Sequence, residues 1–169
     1  MMMRLFIAIQ FDDRMLDALT GFQDDLKEQG VTGNYTSRDN LHLTLAFIGD
    51  HNDPDAVLDA MEESNFRPFD IRLDGVGHFG DLFWIGLSDN PALNAYVKRL
   101  RHCLADHGIP FDKKRFSPHI TLIRKAGYKY GDQIPVYDVP KGSMRVENIS
   151  LMRSDRGKHG MIYTEIGSV

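Results

Sequence analysis

Histidine and threonine recur in this chain at one spacing in two places, and that spacing suits proton transfer at a phosphorus centre. Residues 38–45 and 115–122 both read R-x-x-x-H-[LI]-T-L, with His42 and His119 standing 77 residues apart in a chain of 169. In an extended strand, alternate side chains point to opposite faces. His42 and Thr44 therefore share one face, and Leu43 and Leu45 the other; His119 and Thr121 repeat this over Ile120 and Leu122. An imidazole of ordinary pKa, about 6.5, gives or takes a proton near neutrality. Two of them can serve as acid and base in one reaction. Threonine hydroxyls can donate hydrogen bonds to phosphate oxygens. This set suits phosphoryl chemistry without a metal. One H-x-T alone says little, because core and surface histidines are common. Two copies with matching flanks point to a duplicated lobe whose histidines converge on one cleft.

The elements that must position these strands follow from periodicity and punctuation. Arg4 to Phe11 is apolar and β-prone. Asp12 or Asp13 can cap a helix to about Lys27, with Met15, Leu16, Leu19, Phe22 and Leu26 on one stripe and Gly30 beyond its end. Leu41 to Ile48 forms a strand ended by Gly49 and Asp50, and Asp53-Pro54 opens a second helix. Phe69 to Val76 and Leu82 to Leu87 read as strands around a glycine-rich turn at Gly75 to Gly80. Trp84, between Phe83 and Ile85, reads as core. Asn90-Pro91 starts a third helix that turns Leu93, Tyr96, Val97, Leu100 and Leu104 inward and stops at Gly108. Phe116 to Ile123 carries the second motif. Arg124 to Pro140 reads as a long loop fit to be a lid or rim, and Met144 to Met152 with Met161 to Ile166 as a closing hairpin. Strands and helices mix without strict alternation, which predicts an α+β fold. No linker divides the chain, so residues 1–169 are expected to form a single domain.

Composition narrows the function classes. The net charge of -4 argues against nonspecific nucleic-acid binding by the whole surface, yet nine Lys/Arg and only two Asp/Glu fall between Lys98 and Lys129. A basic segment inside an acidic chain suggests a local anionic ligand. Lys113 and Lys114 sit near the second motif and are candidates for steering it; Arg38 and Arg115 suit loop capping or phosphate contact. The one cysteine, Cys103, excludes an internal disulfide or a cysteine-rich zinc site and fits a reducing compartment, so a cytoplasmic location is expected. No apolar run approaches the roughly 20 residues that span a bilayer, and the opening segment reads as a strand rather than a secretion signal. His102 and His107 do not share a helix face as a metal pair would, and His51, His78 and His159 fall in turn-like contexts. The sequence holds no H-E-x-x-H, phosphate-binding P-loop or dinucleotide fingerprint. No metal and no cofactor are expected.

HLTLAF at His42 to Phe47 and HITLIR at His119 to Arg124 resemble the two signatures of the two-histidine phosphoesterase superfamily, and within it the RNA 2′,3′-cyclic phosphodiesterases once described as 2′-5′ RNA ligases. The opening RLFIAI and the closing hairpin with Tyr163 are similar to the same group. The resemblance implies a bilobal fold of two pseudo-symmetric lobes, with two antiparallel sheets lining a central cleft and helices outside. It implies opening of a 2′,3′-cyclic phosphate on an RNA end to leave a 2′-phosphate, without a metal. Carried over residue by residue, His42 is the proton donor to the leaving O3′, His119 the proton acceptor from water, and Thr44 and Thr121 the phosphate contacts. Phe47 and Arg124, five residues after each histidine, are expected to bind substrate, as a clamp on a nucleobase. Strand parity places both on the face opposite their histidine, so they reach the cleft only through a twist, a bulge or a strand end.

The partners so implied are RNA ends or oligonucleotides bearing a cyclic phosphate, with no membrane, and a monomer is expected. Three other functions fit the same residues. One is a phosphodiesterase on a small cyclic nucleotide such as ADP-ribose 1″,2″-cyclic phosphate. Another is the reverse reaction, 2′-5′ RNA ligation. The third is a non-catalytic nucleotide-binding domain, which the two intact histidines weaken.

Overall fold

A computed structural model describes residues 1–128 and 138–169. The first strand, β1 (Met3–Gln10), runs into helix α1 (Asp13–Glu28). Asp12 caps that helix: its carboxylate accepts from the Met15 N–H at 2.8 Å. The other two helices start the same way, α2 (Pro54–Glu63) under Asp53 and α3 (Pro91–Asp106) under Asn90, each with proline in the first turn. Such caps contribute about 1 kcal/mol each. The apolar stripes then face inward: Met15, Leu19, Phe22 and Leu26 of α1, and Leu93, Tyr96, Val97, Leu100 and Leu104 of α3, are buried.

The remaining strands are β2 (Val31–Tyr35), β3 (His42–His51), β4 (Phe69–Phe79), β5 (Leu82–Leu87), β6 (His119–Tyr128), β7 (Ser143–Val146), β8 (Ser150–Gly157) and β9 (Gly160–Ser168). They make two antiparallel sheets, one in the order β3-β1-β8-β9 and the other β2-β6-β5-β4-β7. Each sheet carries one H-x-T strand. Among the described residues one large core cluster runs through both sheets and the three helices, from Leu5, Ile7 and Ile9 to Leu43, Leu45, Ile120 and Leu122. Those four motif-strand side chains are wholly shielded from solvent. Burying each contributes roughly 1.5–3 kcal/mol, which anchors the polar face above. Among the described residues no helix is long and apolar enough to cross a membrane.

Several elements differ from the sequence expectation. Met144 to Met152 is not one strand: β7 joins β4 in one sheet, while β8 starts at Ser150 in the other and pairs with β9. Gly49 does not end β3, which runs on to His51; its φ of 84° sits beside a register shift in the pairing with β1. Gly75 to Phe79 is strand, and the turn is confined to Gly80 and Asp81. The short β2 has only one buried residue, Val31, and so carries little apolar signal in the sequence. Of the expected loop at Arg124 to Pro140, residues 124–128 extend β6 instead, because β2 offers them a pairing partner; residues 129–137 lie outside the described residues.

Candidate active site

Both motif strands break their alternation at the same step. Opposite β1, Ala8 faces Thr44 and Ile7 faces Ala46, so Leu45 is an extra residue. Opposite β5, Trp84 faces Thr121 and Phe83 faces Ile123, so Leu122 is extra. In each strand the third residue after the histidine is bulged, and two consecutive side chains, Leu45-Ala46 and Leu122-Ile123, bury together. A bulge of one residue reverses parity beyond it. Phe47 and Arg124 are thereby returned to the face of their own histidine; Arg124 lines the cleft, and both line a recess beside it.

The cleft between the sheets holds about 960 Å³. His42 and Thr44 from β3 and His119, Thr121 and Arg124 from β6 line it together, with Tyr163 from β9. The two histidines are held alike. His42 Nδ1 lies 2.7 Å from the Asn40 carbonyl, and His119 Nδ1 lies 2.7 Å from the Ser117 carbonyl, in each case two residues upstream. A carbonyl oxygen only accepts, so Nδ1 must carry hydrogen in both rings. That leaves Nε2 as the nitrogen free to titrate.

Their surroundings differ. His42 packs against Phe6 at 5.0 Å and edge-on to Tyr163 at 5.2 Å, and its Nε2 is 2.9 Å from the Thr44 hydroxyl. Burial lowers its pKa, and the charges of Arg124 and His119 lower it further, against the opposing pull of the Asn40 carbonyl. His119 meets Phe79 edge-on at 5.0 Å and has Trp84 at 6.3 Å.

Trp84 is not the core residue its apolar neighbours suggest. It stands opposite Thr121 in register, and directly opposed residues share a face. Phe83 and Ile85 fill the core behind it. The indole lies over Gly77, where a Cβ would collide with the ring. Its Nε1 is buried with no hydrogen-bond partner among the described residues. The signal available in the sequence was glycine at positions 77 and 86, two gaps of the right size on neighbouring strands.

The other candidates separate from the cleft. Arg38 turns to α1, with Asp17 at 2.8 Å, so it secures the turn before β3. Lys113 and Arg115 line a different groove, with Arg101 and Phe116. His102 and His107 pair with Asp106 and Glu63. His159, which read as a surface turn residue, sits at the β8–β9 turn and lines the cleft rim. Cys103 is only half-buried; burial, then the charges of Glu63 and Asp106, push its thiol pKa up. Among the described residues no cluster of three or more His, Cys, Asp or Glu side chains is placed to hold a metal ion.

A family model of the 2′-5′ RNA ligase superfamily matches residues 16–158. The RNA 2′,3′-cyclic phosphodiesterase of Methanothermobacter thermautotrophicus is 28% identical over 182 residues, covering 98% of this chain and 97% of its own. The protein of the same name from Thermotoga maritima is 29% identical, covering 95% of this chain and 91% of its own. Among solved structures, Escherichia coli LigT in its apo form superposes with a TM-score of 0.82 at 25% identity, over 99% of this chain and 96% of that one. LigT complexed with 3′-AMP gives a TM-score of 0.80 at 25% identity, over 100% and 98%.

Proposed function

The chain belongs to the 2′-5′ RNA ligase superfamily, and from that premise we propose that it is an RNA 2′,3′-cyclic phosphodiesterase working by two-histidine acid–base catalysis. The observation that carries the reading is one cleft containing two histidines with Nδ1 fixed in the same way and Nε2 left to titrate. His119 Nε2 takes a proton from water as the water oxygen attacks phosphorus. The P–O3′ bond breaks, and His42 Nε2–H gives its proton to the departing O3′. The product carries a 2′-phosphate and a 3′-hydroxyl. His119 then holds the extra proton and His42 lacks one, and exchange with solvent restores both. Thr44 and Thr121 donate hydrogen bonds to the non-bridging oxygens. Arg124 and Phe47 contact the substrate beside them. RNA ends are the substrate class and no metal is required; two lobes of one domain supply one histidine each.

The depressed pKa of His42 favours a second assignment. Burial, with the charges of Arg124 and His119, disfavours the protonated His42 ring, which suits an acceptor. An incoming phosphate anion opposes the charges of Arg124 and His119 and favours the protonated ring, which suits the donor role. The two assignments differ in their product. An oligonucleotide ending in a 2′,3′-cyclic phosphate, incubated in excess EDTA and followed by ³¹P NMR, should give a 2′-phosphate. A 3′-phosphate would exchange the donor and acceptor. Absence of hydrolysis would remove the function, and a requirement for added zinc or manganese would remove the metal-free mechanism.

A further inference from the structure

A side arm of about 540 Å³ opens from the cleft, sharing His42, Thr44, Arg124 and Tyr163 with it. Three arginines, Arg4, Arg124 and Arg156, line this arm, and no aspartate or glutamate does. Three other arginines have carboxylate partners: Arg38 has Asp17 at 2.8 Å, Arg145 has Asp70 at 3.5 Å, and Arg153, three residues before Arg156, has Asp155 at 3.1 Å. Among the described residues, none of the arm's three arginines has a carboxylate partner. Three guanidinium groups around one recess repel each other, and an anion between them relieves that repulsion.

The backbone fixes their aim. Arg4 on β1 stands directly opposite Ser154 on β8. Ser154 and Arg156 are two apart on one strand and share a face. Arg156 is therefore the diagonal neighbour of Arg4, close enough for two long side chains to bracket one group. Arg4 is also held in place, its guanidinium 4.9 Å above the ring of Phe47. Guanidinium forks match phosphate geometry and bind it more strongly than neutral donors do.

We propose that Arg4 and Arg156, with Arg124 at the junction, form a second phosphate subsite that holds the internucleotide phosphate on the 5′ side of the terminal nucleotide. This rests on the reading above that the terminal cyclic phosphate lies between the histidines. A strand seated there carries its next phosphate out of the cleft, and the arginine-lined arm is the exit with matching charge. The enzyme is thereby specific for RNA strands over cyclic mononucleotides.

The test compares two dinucleotides ending in a 2′,3′-cyclic phosphate, one with an ordinary linkage and one with a neutral methylphosphonate linkage. Wild type should favour the charged linkage by on the order of tenfold in kcat/KM. In the Arg4→Gln, Arg156→Gln double variant that ratio should fall to about one. A ratio near one in wild type, or an unchanged ratio in the double variant, overturns the subsite. Binding of the same dinucleotides with a terminal 3′-phosphate separates the two failures. If wild type hydrolyses no cyclic phosphate, the functional reading is lost. The subsite is then judged by affinity alone: charge-dependent binding that the double variant abolishes upholds it, and binding indifferent to linkage charge overturns it.

Discussion

Strands β3 and β6 carry the same motif and make the same local structure, yet they place their histidines in different electrostatic settings. In both, Nδ1 is bound 2.7 Å from a carbonyl two residues upstream, and the third residue after the histidine is bulged. The likeness ends there. β3 is the edge strand of its sheet, whereas β6 lies between β2 and β5. His42 is wedged between Phe6 and Tyr163 and touches Thr44; among the described residues Thr121 makes no matching bond to His119. A repeated sequence thus repeats the tautomer and the aim of the ring. The affinity for the proton is set by what packs around it, which the repeat does not control. Two rings of one design can in this way take opposite parts in one reaction.

The largest effect should come from removing either ring. His42→Ala and His119→Ala should each lower kcat on the order of 10²-fold or more. Groups that act as a unit are not additive, so the double replacement should cost little beyond the worse single one. A single variant within a few-fold of wild type would break the pairing of the two strands. A smaller loss, on the order of tenfold, is expected in kcat/KM for Thr44→Val and for Thr121→Val, each removing a donor to the phosphate. Only Thr44→Val should also move the pH profile, because only Thr44 touches its histidine. Equal displacement of both profiles would erase the asymmetry. Smallest is an effect on titration alone. Arg124 lowers the His42 pKa, so Arg124→Gln should raise it towards its ordinary value. Adding inorganic phosphate to wild type should raise it too. NMR titration of the His42 ring would read both, and a pKa unmoved or lowered would contradict the sign.

Much of this was legible in the sequence because it is local. Asp12, Asp53 and Asn90 announce their helices through side-chain caps three residues ahead. The H-x-T faces follow from period-2 alternation. Even the bulges leave a mark: Leu45-Ala46 and Leu122-Ile123 are adjacent apolar pairs that interrupt alternation just before Phe47 and Arg124. What escaped is what long-range pairing decides. The apolar strand around Trp84 suggests core, and Gly77 on the neighbouring strand, with Gly86 on its own, opens the slot that the indole fills. Arg4 and Arg156 lie at opposite ends of the chain and line one recess only because β1 pairs with β8. The stretch from Met144 to Met152 has the apolar content of one strand, but Glu147 and Asn148 interrupt it and its halves serve different sheets.

The division of labour between the two strands is tested most directly by changing the leaving group. In a cyclic ester with sulfur in place of the bridging O3′, the departing thiolate needs no proton. If His42 is the donor, the deficit of His42→Ala relative to wild type should shrink by on the order of 10²-fold on the sulfur substrate. The deficit of His119→Ala should persist, because water still has to lose its proton. Rescue of His119→Ala instead would reverse the two roles, and rescue of neither would mean that proton donation to O3′ is not what these histidines do.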